Sequence, residues 1–228
     1  MNDLSIVIPF YNEEENIEKV VFGLKREFKK NKIDFELILV DNGSSDKTSN
    51  IVDNLKKRDK RIKVLHISKN IGYGNGIING LRLGSSKYIG YTDGDGQIRS
   101  EDVVSCYNKI RKTNTDICKG RRLRREGTFL RKFYSFSYDL IFFLFFFKFY
   151  KDINAKPKII RKECLPILNL RSKEWFIDNE IMIGAIKNKL KVSETLVIVN
   201  SKEGGGSNVI NYDIIFDFLK NIIKYRLN

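Results

Sequence analysis

The chain has 228 residues and a formal charge of +14, from 42 basic and 28 acidic side chains. That length buries a full core without disulfide staples, and the 3 cysteines, an odd number without metal-type spacing, fit a reduced cytoplasmic protein. The basic balance favours anionic partners (nucleic acid, an anionic membrane face or phosphorylated substrates) and fits a merely solvated lysine-rich surface equally well.

The chain begins without a basic, apolar leader, so no signal peptide is expected. Residues 4–9 form a β-branched apolar run, expected as a buried first strand. Asn12 with Glu15 three residues on is a capping-box pattern. The helix it predicts runs to about Lys29, with Ile17, Val20, Val21, Leu24 and Phe28 facing inward. Residues 35–41 read as a second strand that ends in the carboxylate of Asp41. Residues 42–48 are a loop and helix cap, opening a helix to about Lys57. Residues 62–67 are the third strand, and His66 within it, the only histidine, reads as structural. Gly72, Gly74, Gly76 and Gly80 punctuate a loop and a helix start. They are no dinucleotide fingerprint: they follow the third strand, and their spacing is wrong.

Residues 87–91 are the fourth strand, leading into Asp93, Gly94, Asp95 and Gln97. Two carboxylates one residue apart suit a hard divalent cation such as Mg²⁺ or Mn²⁺, bound together with substrate phosphates. The same residues also serve ordinary turns. Four alternations of strand and helix predict an α/β fold with a parallel sheet and right-handed crossovers. Ligands of such sheets sit beyond the carboxyl ends of the strands, where Asp41 and Asp93 both stand.

Residues 5–13, 39–48, Asn70 with Gly72, and Asp93 to Gln97 resemble the successive motifs of family 2 glycosyltransferases. The nearest subgroup is that of the dolichyl-phosphate (polyprenyl-phosphate) mannosyl- and glucosyltransferases, and the likeness is spread over about residues 3–208. The resemblance implies a GT-A fold, a Rossmann-like and mostly parallel sheet flanked by helices. It also implies an inverting transfer of a hexose from a GDP- or UDP-sugar, with Mg²⁺ or Mn²⁺. In the family, residues matching Pro9, Tyr11, Glu13, Leu39 and Asp41 grip the nucleoside. Those matching Asp93, Gly94, Asp95 and Gln97 hold the diphosphate and metal. Asn42 stands where a second aspartate is usual, which bears on nucleotide preference.

Residues 117–125 carry four arginines and a lysine, either a solvated basic loop or a phosphate site. Arg131 and Ser135 share a helix face, an arginine fork beside a hydroxyl that suits phosphate. The subgroup implies that Arg122, Arg131 and Ser135 surround a donor diphosphate or a lipid phosphate. Residues 140–147 are apolar all round. They are too short to span a bilayer, which takes roughly 20 residues. The alternatives are a buried helix or one in the membrane interface, and the interface is favoured. Residues 152–161 resemble the subgroup's motif that closes over the site. Asp178 and Glu180 are general-base candidates for a hydroxyl acceptor, or else ordinary acids of a helix start; a phosphate acceptor needs no base.

Residues 201–208 resemble the subgroup's lid, with Lys202 in place of an arginine and Asn208 in place of a lysine. Residues 209–228 predict an amphipathic helix beyond the catalytic unit of 1–208. It would cover the core, meet a small membrane subunit or lie on a bilayer; the sequence leaves the three open. The expected function is hexose transfer to a polyprenyl phosphate by a protein peripheral to the inner, cytoplasmic face of a membrane. A hydroxyl acceptor on a glycan is the alternative. Nucleic-acid binding is disfavoured, because aspartates at strand ends repel a phosphate backbone.

Overall fold

The computed structural model describes residues 2–123, 129–200 and 212–227. Four parallel units come first: β1 Leu4–Phe10, α1 Ile17–Lys30, β2 Phe35–Asp41, α2 Thr48–Arg58, β3 Ile62–His66, α3 Tyr73–Leu83 and β4 Tyr88–Tyr91. Then follow α4 Ser100–Thr113, β5 Ile117–Arg122, α5 Phe129–Phe146, β6 Lys158–Arg161, α6 Leu165–Leu168, α7 Ile177–Lys187, β7 Val192–Val197 and α8 Tyr212–Leu227. The strands form one sheet in the order β3-β2-β1-β4-β6-β5-β7. Only β6 runs against its neighbours β4 and β5. This is the expected mostly parallel α/β sheet.

Strand periodicity assigns the two faces. Leu4, Ile6, Ile8 and Phe10 of β1 join Phe35, Leu37 and Leu39 of β2 in a core under α1, α2 and α4. Val7, Ile38 and Val40 point the other way, into a core shared with α3, α5, α7 and α8. The five inward residues expected of α1 are all buried. Phe218 and Ile222 of α8 lie in the second core, with Phe218 stacked on Tyr138, so the helix beyond residue 208 packs onto the body of the protein.

The start of α1 differs from expectation. Asn12 has a positive φ of 53° and does not cap it. Its Oδ1 accepts from Ser45 N at 2.8 Å, its own N–H donates to Ser44 Oγ, and Glu13 N donates to Thr48 Oγ1. Asn12 therefore knits the loop after β1 to the loop after β2, and the helix begins four residues later than the capping pattern suggests. Residues 140–147 divide: Phe142 and Phe146 are buried, while Leu144 and Phe147 are 60% and 74% exposed. All three cysteines are buried and reduced.

Candidate active site

The carboxyl ends of β1, β2 and β4 open onto a cleft of about 350 Å³. Pro9, Tyr11 and Glu13 form one wall, Asn42, Asn70 and Gly72 the next, and Asp93 to Asp95 the floor. Gly94 sits where a Cβ would come within 2.5 Å of the Pro9 carbonyl, so only glycine lets this loop close against the end of β1. Tyr73, Glu174 and Trp175 complete the rim.

Asp93 accepts a 2.6 Å hydrogen bond from the Tyr73 hydroxyl. Burial first, then the nearby Asp93 and Asp178 charges, push that phenol well above its ordinary value, so it stays protonated and donates. Asp95 accepts from the Gln97 backbone N–H at 3.0 Å. The Gln97 side-chain amide instead donates to the Asn200 carbonyl, tying the loop to the segment after β7. Among the described residues no cluster of three or more His, Cys, Asp or Glu side chains could hold a metal alone. A divalent ion held by Asp93 and Asp95 would need further oxygens from a bound ligand, as diphosphate sites commonly provide.

Asp41 lies just beneath the cleft. Its Oδ1 accepts from Ser44 N at 3.0 Å, and its Oδ2 pairs with His66 Nδ1 at 3.1 Å. Burial raises its pKa, but the Ser44 and His66 hydrogen bonds outweigh that and hold it below the usual range. His66, at the end of β3, bridges Asp41 to Asp53. Asn42 faces the cleft itself. Its Nδ2 donates to Asn70 Oδ1 and to the Gly72 carbonyl. Its Oδ1 is buried against Gly76 with no hydrogen-bond partner among the described residues.

Several expected site residues stand elsewhere. Leu39 is fully buried in the core under α1, so its side chain grips no nucleoside. Asp178, 1% exposed, is clamped by two lysines and a tyrosine. Lys156 Nζ stands 3.0 Å from Oδ2; Tyr91 OH (2.6 Å) and Lys158 Nζ both donate to Oδ1. Burial pushes Asp178 up, but Lys156 and Lys158 outweigh it and keep it ionised below its ordinary value. Burial in turn holds Lys158 down at about 8. A carboxylate so occupied is a poor general base. Glu180 is spent likewise, on Arg171 N (2.8 Å), Ser172 N (2.9 Å) and the Tyr225 hydroxyl. It pins the segment after α6 that carries Glu174 and Trp175. Arg122 forks onto Asp152, and the charges of Asp152, Asp139 and Asp93 raise its pKa. Arg131 and Ser135 lie on α5, but their side chains fall outside the described residues, as do Lys202 and Asn208.

Residues 5–177 match the family described as glycosyl transferase family 2. The chain belongs to glycosyl transferase family 2. A dolichyl-phosphate β-glucosyltransferase of Trichomonas vaginalis is 26% identical over 99% of this chain and 74% of its own length. Among solved structures, mannosyl-3-phosphoglycerate synthase from Rubrobacter xylanophilus superposes with a TM-score of 0.77 at 12% identity, over 99% of this chain and 74% of the other. Glucosyl-3-phosphoglycerate synthase from Mycobacterium tuberculosis, in complex with Mn²⁺, UDP and glucosyl-3-phosphoglycerate, gives 0.68 at 15% identity, over 99% and 79%. The family 2 glycosyltransferase thus has the GT-A fold that its motifs implied. Sequence reading missed Tyr73, Glu174 and Trp175 of its cleft. Trp175, as the single tryptophan in a 228-residue chain, was the available signal.

Proposed function

We propose that this protein moves a hexose from a nucleoside-diphosphate sugar to a polyprenyl phosphate, with inversion, at the cytoplasmic face of a membrane. Asp93 and Asp95 would hold Mg²⁺ or Mn²⁺ against the donor diphosphate. The ion supplies a Lewis acid for the charge that develops on the leaving diphosphate. Pro9, Tyr11 and Glu13 would flank the nucleoside. Asp41, braced by His66, would steady the wall beneath the nucleoside.

The observation that carries the acceptor is the state of Asp178 and Glu180. Both side chains proposed from sequence as a base are tied up by cations, hydroxyls or backbone N–H groups. A hydroxyl acceptor needs a base to take its proton, whereas a lipid phosphate arrives ionised. The Trichomonas relative, named for transfer to dolichyl phosphate, agrees with that acceptor. Arg131, Ser135 and Lys202 are the proposed phosphate contacts, and Arg122 would join them only by exchanging one of its bonds to Asp152.

The test has two steps. Melting temperatures are measured against UDP, GDP and their hexose derivatives, with and without Mn²⁺; a metal-dependent rise with one nucleotide is expected. The product made from a polyprenyl phosphate is then treated with mild acid. Release of the sugar supports a sugar–phosphate linkage. A product that survives acid, or transfer only to a glycan hydroxyl, overturns the acceptor. No shift with any nucleotide overturns the donor site.

A further inference from the structure

Trp175 is 56% exposed at the mouth of the donor cleft. An indole exposed there offers an aromatic face to whatever occupies the cleft. It is firmly held. Its ring stacks on Tyr73, with centroids 4.4 Å apart and planes 12° from parallel. The Tyr73 hydroxyl is fixed on Asp93. The Lys156 ammonium lies 5.1 Å from the Tyr73 centroid and 5.9 Å from that of Trp175. Those three separations put the cation beside the stack and leave the outer face of the indole uncovered by it. Lys156 is itself anchored on Asp178. Behind the pair, Asn75 N donates to the Lys173 carbonyl at 2.9 Å, locking the start of α3 to the segment that carries Glu174 and Trp175.

We propose that Trp175, with the adjacent Glu174 carboxylate, is the subsite for the hexose ring of the donor, the indole stacking on its C–H face and Glu174 accepting from its hydroxyls. The inference rests on the donor cleft proposed above. A hexose presents an apolar face of C–H groups and a rim of hydroxyls, and an aromatic ring beside a carboxylate matches both. The position fits as well. A diphosphate bound at Asp93 and Asp95 carries its sugar one bond beyond the β-phosphate, and the indole stands one stacked ring away from Asp93. Lys156, held on Asp178, stands beside the Tyr73–Trp175 pair.

Because Trp175 is the only tryptophan, its emission reports the subsite directly. UDP, UDP-glucose, GDP and GDP-mannose are titrated into the protein with Mn²⁺ while that emission is followed. The nucleotide sugar of the accepted base is expected to change it further than the nucleoside diphosphate does. Calorimetry then compares variants. Trp175→Ala is expected to keep nucleoside-diphosphate affinity within about twofold and to lose about tenfold in nucleotide-sugar affinity. Trp175→Phe retains a stacking face and should recover most of that loss. Glu174→Gln should raise KM for the sugar donor with little change in diphosphate binding. Equal emission changes with and without the sugar, or a Trp175→Ala protein whose two affinities fall together or not at all, would overturn the subsite and leave the donor cleft standing. If wild-type protein binds neither UDP nor GDP, the cleft reading fails and the subsite with it. The emission titration uses wild-type protein, so the proposal stays testable should Trp175→Ala fail to fold.

Discussion

At the residue scale, the two carboxylates on the cleft floor have different neighbours. Asp93 already shares an oxygen with Tyr73, whereas Asp95 ends a turn closed by Gln97 N. Asp95→Asn keeps that turn acceptor and removes the charge that would attract a cation. Transfer is therefore expected to fall at least about 100-fold with an unchanged melting temperature. Near-normal rates would remove Asp95 from the metal site. Glu36 shows how a buried charge is supported. Burial alone would push its pKa up, but Lys63, Ser5 and Ser85 together bring it down to about 2, from an ordinary 4.5. Its folded-state value is depressed, so its contribution is present above about pH 4.5 and disappears as the pH falls toward 2. Half-exposed Lys63 weakens the effect, leaving on the order of 2 kcal/mol. Glu36→Gln should lower the melting temperature at pH 7 and flatten its decline between pH 5 and 3; an unaltered acid profile would refute this. Glu36 was invisible to sequence pattern, because its partners come from β1, β3 and the loop after α3.

At the element scale, the strands that sequence revealed best are those whose apolar alternation matches the two cores, β1 and β2 above all. The strands it hid are β5 and β6. Lys119 and Lys158 are fully buried in them, against every rule of composition, and only their tertiary partners explain this. Lys158 rests on Asp178 of α7, and Lys119 on Glu194 of β7 and the Lys151 carbonyl. The cleft was legible where loops follow parallel strands, because its floor and two walls come from consecutive motifs. Its rim was not, because Glu174 and Trp175 arrive from about 80 residues further along the chain than Asp93. Gly72 joins the two halves. It has a φ of +120°, and a Cβ there would stand 2.3 Å from the Lys173 carbonyl. Gly72→Ala must move the segment that carries Trp175 or strain its own backbone. We expect a loss of about 2 kcal/mol in stability and a raised KM for the donor. Chemical denaturation and initial rates measure both, and a variant normal in each would show that the rim is not keyed through Gly72.

At the scale of the whole molecule, α5 and the segment just after it carry an apolar surface that the cores do not use. Phe142 and Phe146 face inward, while Leu140, Phe143, Leu144, Phe147 and Phe149 are 37–74% exposed. Among the described residues no helix is long and apolar enough to cross a bilayer. We propose that this exposed apolar surface lies on one. The charge of +14 adds attraction to anionic headgroups, which screening by salt weakens. Such docking would bring a polyprenyl phosphate to the cleft by diffusion in two dimensions. A paired substitution, Leu144→Asp with Phe147→Asp, removes two exposed side chains and leaves both cores intact. It should leave the melting temperature within about 2 °C of wild type. It should abolish flotation with vesicles that contain anionic lipid. Slow hydrolysis of the nucleotide sugar in solution, which needs only the cleft, should persist, while transfer to a polyprenyl phosphate embedded in vesicles should fall by about tenfold or more. Parallel loss of both activities would mean that this face supports the fold. Unchanged flotation would mean that membrane contact is made elsewhere, and the exposed face of α5 would then be the place to seek a small protein subunit.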